Sequence, residues 1–169
     1  MDSVCMEPCT ILRVQTWDAT QTMPPPVEHA LGITWPRAAG TVACGRAQVL
    51  CVGPDDWLVI SSEVDVPDQW RALDEALAAS SYRMTDLSAA MCRVRLVGPQ
   101  LRDLLAKGCS LDLDLRVFRP GTATRTRLAG IAVVLHCVEP ATFECIVAAS
   151  LLAYFTAWFA DAALEFSTL

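Results

Sequence analysis

Short apolar or alternating runs, cut off by proline and glycine, mark out most of the chain. Residues 10–16 (TILRVQT) alternate apolar and polar positions and predict a first strand. Residues 47–52 (AQVLCV) and 57–61 (WLVIS) are nearly continuous apolar runs, joined by Gly53-Pro54-Asp55-Asp56, which has the composition of a turn. Residues 82–87 and 91–97 predict two further strands, 122–128 and 131–138 a hairpin about Ala129-Gly130, and 142–147 a last strand. Helical spacing occurs three times. Over 67–79, Trp70, Leu73 and Leu77 share a face, and Pro67 suits a first helical position. Gly98-Pro99 opens a helix that runs through Lys107, with Gly108 as its C′ residue. After Ser150, read as an N-cap, Leu151, Tyr154, Phe155, Trp158, Phe159 and Ala162 form one apolar stripe. The opposite face carries Ala153, Thr156, Ala157, Ala160 and Ala163, small enough to accept a neighbouring helix or a partner. Residues 23–36 (MPPPVEHALGITWP) are proline-marked. They are expected to favour polyproline II geometry over regular structure throughout, crossing the surface or meeting a partner.

An internal repeat runs through this pattern. Pro54, Trp57 and Ile60 recur as Pro140, Phe143 and Ile146 at a constant offset of 86 residues. Each half reads strand, proline turn, aromatic-led strand, small residues, then a helix bearing aromatic residues. The implied fold is α+β, with antiparallel sheets, packed helices and two internally related halves. At 169 residues the chain is expected to form a single domain, 1–169, large enough to bury a core without disulfide or metal.

Composition narrows the function by exclusion. With 53% hydrophobic and 19% charged residues the chain is not disordered. Its 13 basic and 19 acidic residues, a net charge of −6, argue against a nucleic-acid partner, because phosphate contacts need clustered Lys and Arg. The charge is polarised, since 88–138 holds eight Lys or Arg against three Asp. Two readings stand side by side: a face that steers toward an acidic partner protein, or the solvent sides of strands bearing Arg93/Arg95 and Arg125/Arg127.

The stretch 145–164 is apolar enough to raise the question of a membrane span. It lacks basic flanks and divides into a strand and a helix, so a packed helix and no membrane partner are expected. The opening MDSVCMEPCTILRVQ has neither the basic nor the apolar region of an export signal, so a cytoplasmic location with reduced thiols is expected. None of the eight cysteines has C-x-x-C spacing, and no zinc-ligand pattern occurs. Dinucleotide, phosphate-loop and nucleophile-elbow motifs are absent. His136 lies within the apolar strand IAVVLHC and reads as a core or interface histidine before a base. Asp112 and Asp114, alternating with leucines, read as a solvated edge before an acid–base pair. No catalytic, cofactor-binding or metal-binding residue is assigned.

The segments VLCVGPDDWLVIS (49–61), TDLS (85–88), RVRLVGPQLRDLLAKGCSLDLD (93–114) and TRLAGIAVVLHCVE (126–139), with the closing aromatic helix, together resemble the gamma subunit family of heterotetrameric sarcosine oxidase. The resemblance covers roughly 46–166, while 1–45 matches loosely. It implies a fold similar to the folate-binding domain of aminomethyltransferase. It also implies a non-catalytic structural subunit of a complex that oxidatively demethylates sarcosine to glycine, forms hydrogen peroxide and passes the one-carbon unit to tetrahydrofolate. By the same resemblance no cofactor is held by this chain; FAD, FMN and NAD belong to the alpha and beta subunits and zinc to the delta subunit, with alpha the most direct partner. The contacts expected to meet that partner are Arg116, Arg119, Arg125, Arg127, Tyr154 and Trp158. A stand-alone tetrahydrofolate-binding one-carbon protein is the alternative, and a thiol-rich redox or metal protein a third reading.

Overall fold

The computed structural model describes residues 3–17, 25–62, 67–78 and 81–166. In chain order these form β1 (Ser3–Glu7), β2 (Thr10–Thr16), α1 (Pro25–Leu31), β3 (Val42–Cys44), β4 (Gln48–Gly53), β5 (Asp56–Ser61), α2 (Pro67–Leu77), β6 (Tyr82–Asp86), β7 (Met91–Val97), α3 (Leu101–Ala106), β8 (Thr122–Leu128), β9 (Ile131–Glu139), β10 (Thr142–Ala148) and α4 (Leu152–Ala163). Every strand pairing is antiparallel. The strands form two five-stranded sheets, ordered β1-β7-β10-β9-β8 and β3-β4-β5-β2-β6. The chain divides into two compact units, 8–88 and a carboxy-terminal unit of 1–7 with 89–169.

Each sheet is apolar on its helix side because alternate residues point one way along a strand. In the 8–88 unit, Leu12, Val14, Val49, Cys51, Trp57 and Val59 pack with Val27 and Leu31 of α1 and Leu73 and Leu77 of α2. In the carboxy-terminal unit, Val94, Leu96, Leu135, Phe143, Cys145 and Val147 meet Leu101, Leu104 and Leu105 of α3 and Phe155 and Phe159 of α4. Full burial of each such side chain is worth about 1.5–3 kcal/mol.

The repeat is present in three dimensions. Shifted by 86 residues, Trp57 and Val59 fall on Phe143 and Cys145, each pair facing the corresponding core strand: Val14 and Leu12 in one sheet, Leu96 and Val94 in the other. The same shift lays α2 on 153–163, inside α4. The first strand of each repeat is exchanged, because β1 precedes β2 but pairs with β7, while β6 precedes β7 but pairs with β2.

Four local readings change. The 23–36 segment contains a short helix from Pro25 to Leu31, since a proline in the first turn lacks only an N–H that would have no helical partner; Met23 and Pro24 lie outside the described residues. Ser150 is not an N-cap, because Ala149–Leu151 form a 3₁₀ turn ahead of α4 and no side chain caps either start. That turn also leaves Leu151 outside the buried stripe. Gly108 follows the C-cap Lys107 as the C′ residue of α3, but without the positive φ usual there. It is glycine because a Cβ there would stand 2.5 Å from Trp158 Cζ2. The hairpin about Ala129-Gly130 forms with both residues at positive φ (53° and 81°), the geometry of a type I′ turn.

Candidate functional site

The expected contact residues lie on the carboxy-terminal unit, around an edge strand and a helix. β8 is the outer strand of its sheet, and Arg125 and Arg127, two apart, are both exposed there on one side. Arg127 Nη2 donates to the Gly130 carbonyl at 2.5 Å, which holds the guanidinium beside the hairpin turn. Tyr154, half-exposed on α4, donates its hydroxyl to the Ala129 carbonyl at 2.9 Å, so helix and turn are tied together. Trp158 packs over Gly108 and against the helix-side core and is only partly accessible. The structure thus gathers Arg127, Tyr154 and Trp158 around one turn.

Arg116 and Arg119 stand on the loop that precedes β8. Arg116 makes a two-pronged contact with Asp114 at 2.9 and 3.0 Å, and Arg119 Nε donates to the Arg116 carbonyl at 2.8 Å. Hydrogen bonding from Arg116 holds the Asp114 carboxyl down at about 2, so it is a fixed anion at neutral pH. It serves the loop as an ion-pair partner. An acid–base role for the 112/114 pair has no support in this geometry.

Helix α3 contributes Arg102, which the sequence pattern alone did not single out. Its Nε donates to the Pro140 carbonyl at 2.9 Å and its Nη1 to the carbonyls of Leu113 and Phe118, the latter at 3.1 Å. The guanidinium lies 4.9 Å from the centre of the Phe143 ring, and Phe118 stacks on that ring at 6.1 Å. Beside it an open groove of about 430 Å³ runs between α3 and 111–115, lined in part by Asp103, Ala106, Leu113 and Leu115. Two of the three carbonyls that this planar cation satisfies, Leu113 and Phe118, belong to the irregular 109–121 segment, and the third, Pro140, anchors it to the sheet.

A second polar group sits on the sheet face away from the helices. His136 Nδ1 lies 3.2 Å from Glu144 Oε2, directly across β9 and β10, and both residues are 3% exposed. Arg95 reaches the other Glu144 oxygen at 3.5 Å, while Arg93 pairs with Glu7 at 3.0 Å. Burial pushes up the thiols of Cys51, Cys137 and Cys145, which leaves them protonated and poor nucleophiles. Among the described residues no group of three or more His, Cys, Asp or Glu is placed to hold a metal ion. No helix among them is long and apolar enough to cross a membrane.

Comparison with known proteins decides the family. The sarcosine oxidase gamma subunit family matches residues 17–165. The chain belongs to that family. The sarcosine oxidase gamma subunit of Corynebacterium sp. (strain U-96) is 34% identical over 140 residues, covering 82% of this chain and 67% of that protein. The heterotetrameric sarcosine oxidase structure from Corynebacterium sp. U-96 superposes with a TM-score of 0.90 at 29% identity, covering 99% of this chain and 86% of the other. The glycine cleavage system aminomethyltransferase T of Bartonella henselae shares the fold, with a TM-score of 0.64 at 11% identity over 94% of this chain and 45% of that one.

For this gamma-family chain, two residues needed more than local pattern to find. Glu144 is a carboxylate inside the apolar strand TFECIVA, and that anomaly was its signal; only the hairpin register places it opposite His136. Arg102 has no comparable signal, because its partners are backbone carbonyls far along the chain.

Proposed function

We propose that this chain is a non-catalytic structural subunit of a heterotetrameric, flavin-dependent sarcosine oxidase. The observation that carries the reading is the superposition along nearly the whole chain on the heterotetrameric sarcosine oxidase structure. In that complex sarcosine is oxidised to glycine, two electrons reduce dioxygen to hydrogen peroxide, and the former methyl carbon passes to tetrahydrofolate. FAD, FMN and NAD belong to the alpha and beta subunits and zinc to delta, and this chain supplies surface, meeting alpha most directly. Arg116, Arg119, Arg125, Arg127, Tyr154 and Trp158 are the contacts we assign to that meeting.

Surface chemistry supports the role. Among the described residues, eight of the nine exposed large hydrophobics, all but Trp17, fall in the carboxy-terminal unit. The outer side of α4 shows Ala153, Ala157 and Ala160 to solvent with Asp161 as its one charge, a helix face without a charged row. A pterin site in this chain would need a carboxylate to hold it. Both buried carboxylates among the described residues are already engaged, Asp56 by Arg13 at 2.6 Å and Glu144 by His136.

The test is isolation of the tagged chain from its native host. The expected product is a yellow complex containing a large flavoprotein and producing peroxide when sarcosine is added. A colourless solitary chain that binds tetrahydrofolate in calorimetry at micromolar concentration would replace this reading with the folate-binding one.

A further inference from the structure

Sheet edges offer unpaired N–H and C=O groups to any extended segment, and natural proteins blunt them with charge, proline or brevity. The described strands have four such edges: β1 and β8 in one sheet, β3 and β6 in the other. β3 is three residues long, β6 exposes Arg83 and Asp86, and β8 exposes Arg125 and Arg127. β1 is guarded only at its end, by Glu7 and the exposed Pro8 that follows it. Val4, Cys5 and Met6 are exposed, Met6 to 55%, and Glu7 is drawn onto Arg93.

The internal repeat shows that the difference is local to this strand. In the 8–88 sheet, Leu12 and Val14 face Asp86 and Met84 of β6. At the equivalent places Val94 and Leu96 face Met6 and Val4 of β1. Met84 is packed against its core, whereas Val4 is 37% exposed, and the position of exposed Asp86 is taken by exposed Met6. The strand that closes one sheet is finished for water, and its counterpart is finished for a neighbour.

We propose that the outer edge of β1 receives an extended strand from a companion subunit, lengthening the sheet to six strands. The inference rests on the subunit reading above and names one way in which the chain is held. A strand is the occupant because the edge offers main-chain hydrogen bonds along about 17 Å, while Val4 and Met6 take alternate apolar side chains of the incoming segment. Its source is a companion chain, since the assembly on which this chain superposes is a heterotetramer and brings unlike chains together.

The assembled enzyme, isolated through a tag on the full chain, provides the test. Backbone amides within 3–7 are expected to exchange with deuterium at least tenfold more slowly in the assembly than in the free chain. Iodoacetamide labelling of Cys5 falls in parallel, while exposed Cys44 on β3 reacts equally in both and serves as the reference. Val4→Lys with Met6→Lys lowers the companion protein recovered at least tenfold and leaves the thermal melt of the free chain unchanged. Wild-type assembly with unslowed amides and an undiminished recovery by the double variant overturns the inference and leaves the subunit reading standing. Failure of the wild-type chain to recover any companion overturns both. Protection of Cys5 without slowed amides overturns the strand as occupant, and a dimer of this chain linked through Cys5 overturns the companion as its source.

Discussion

One sheet position is filled in two chemically opposite ways. Leu50 faces Leu58 across β4 and β5, and 86 residues later His136 faces Glu144 across β9 and β10. All four are buried, so the same backbone accepts an aliphatic pair in one half and an ionisable pair in the other. The helices diverge as well. On α2 the outer positions Arg71, Asp74 and Glu75 are exposed and polar, and the shift of 86 replaces them with Ala157, Ala160 and Asp161 on α4. The comparison separates what the architecture requires from what each half adds. Both halves need the apolar helix-side face. The amino-terminal half is finished with charge toward water, whereas the carboxy-terminal half keeps polar groups inside its sheet and apolar groups outside its helix.

That contrast is sharpest at the buried pair. Glu144→Leu alone, copying Leu58, removes the contacts of Glu144 with His136 and Arg95 and is expected to cost about 1–3 kcal/mol in urea denaturation. Adding His136→Leu, which copies Leu50, should recover part of that loss, because replacing both partners of a buried hydrogen bond by apolar groups can be nearly neutral, while Arg95 still lacks Glu144. A double variant as unstable as the single would show that the two halves are not interchangeable at this place. Next in size, Ala157→Arg with Ala160→Asp gives α4 the outer face of α2. Stability of the free chain should move by no more than about 0.5 kcal/mol, while recovery of a companion protein falls at least tenfold, about 1.4 kcal/mol. Undiminished recovery would remove α4 from the contact surface.

Smaller effects probe the turns and one tyrosine. Ala129 pays for its positive φ, so Ala129→Gly should raise stability by about 0.5–1 kcal/mol despite the added freedom of the unfolded chain; a loss would show that its methyl group packs. In the 8–88 unit, the Tyr82 hydroxyl donates to Asp74 at 2.6 Å, which lifts its ionisation from 10.0 to about 12. The folded state therefore keeps a proton that the unfolded chain gives up. This contribution is whole below pH 10 and is lost as pH rises through about 12. Ultraviolet titration should show one late tyrosine, absent in Tyr82→Phe.

Much of this architecture is legible in residue pattern, and the exceptions have physical causes. The strands at 10–16, 91–97 and 142–147 announce themselves because alternation and β-branched content agree with burial on at least one face. β1 escaped, because its partner stands in the second half of the chain and its own apolar residues remain in water. β3 is too short to show a period, and α1 was hidden by prolines that its first turn tolerates. Among the residues expected to meet a partner, the exposure of Arg125 and Arg127 follows from their strand positions, whereas Tyr154, which the helical period puts in the apolar stripe, is half-exposed. The seating of Trp158 depended on a glycine fifty residues earlier, which no local period reveals.

The exchange of first strands has a consequence for synthesis. The 8–88 unit owns a contiguous stretch of chain and has every strand of its sheet once Asp86 has emerged. β1 leaves the ribosome before any of it, yet its partner β7 follows some ninety residues later, a delay of roughly 5–20 s at usual elongation rates. During that interval Val4 and Met6 have no sheet of their own to join. Nascent chains stalled once β6 has emerged should therefore resist protease within β2, β4, β5 and β6 and be clipped within 3–7. β1 is thus made well ahead of its pairing strand, and it is free to meet a companion chain before its own sheet exists.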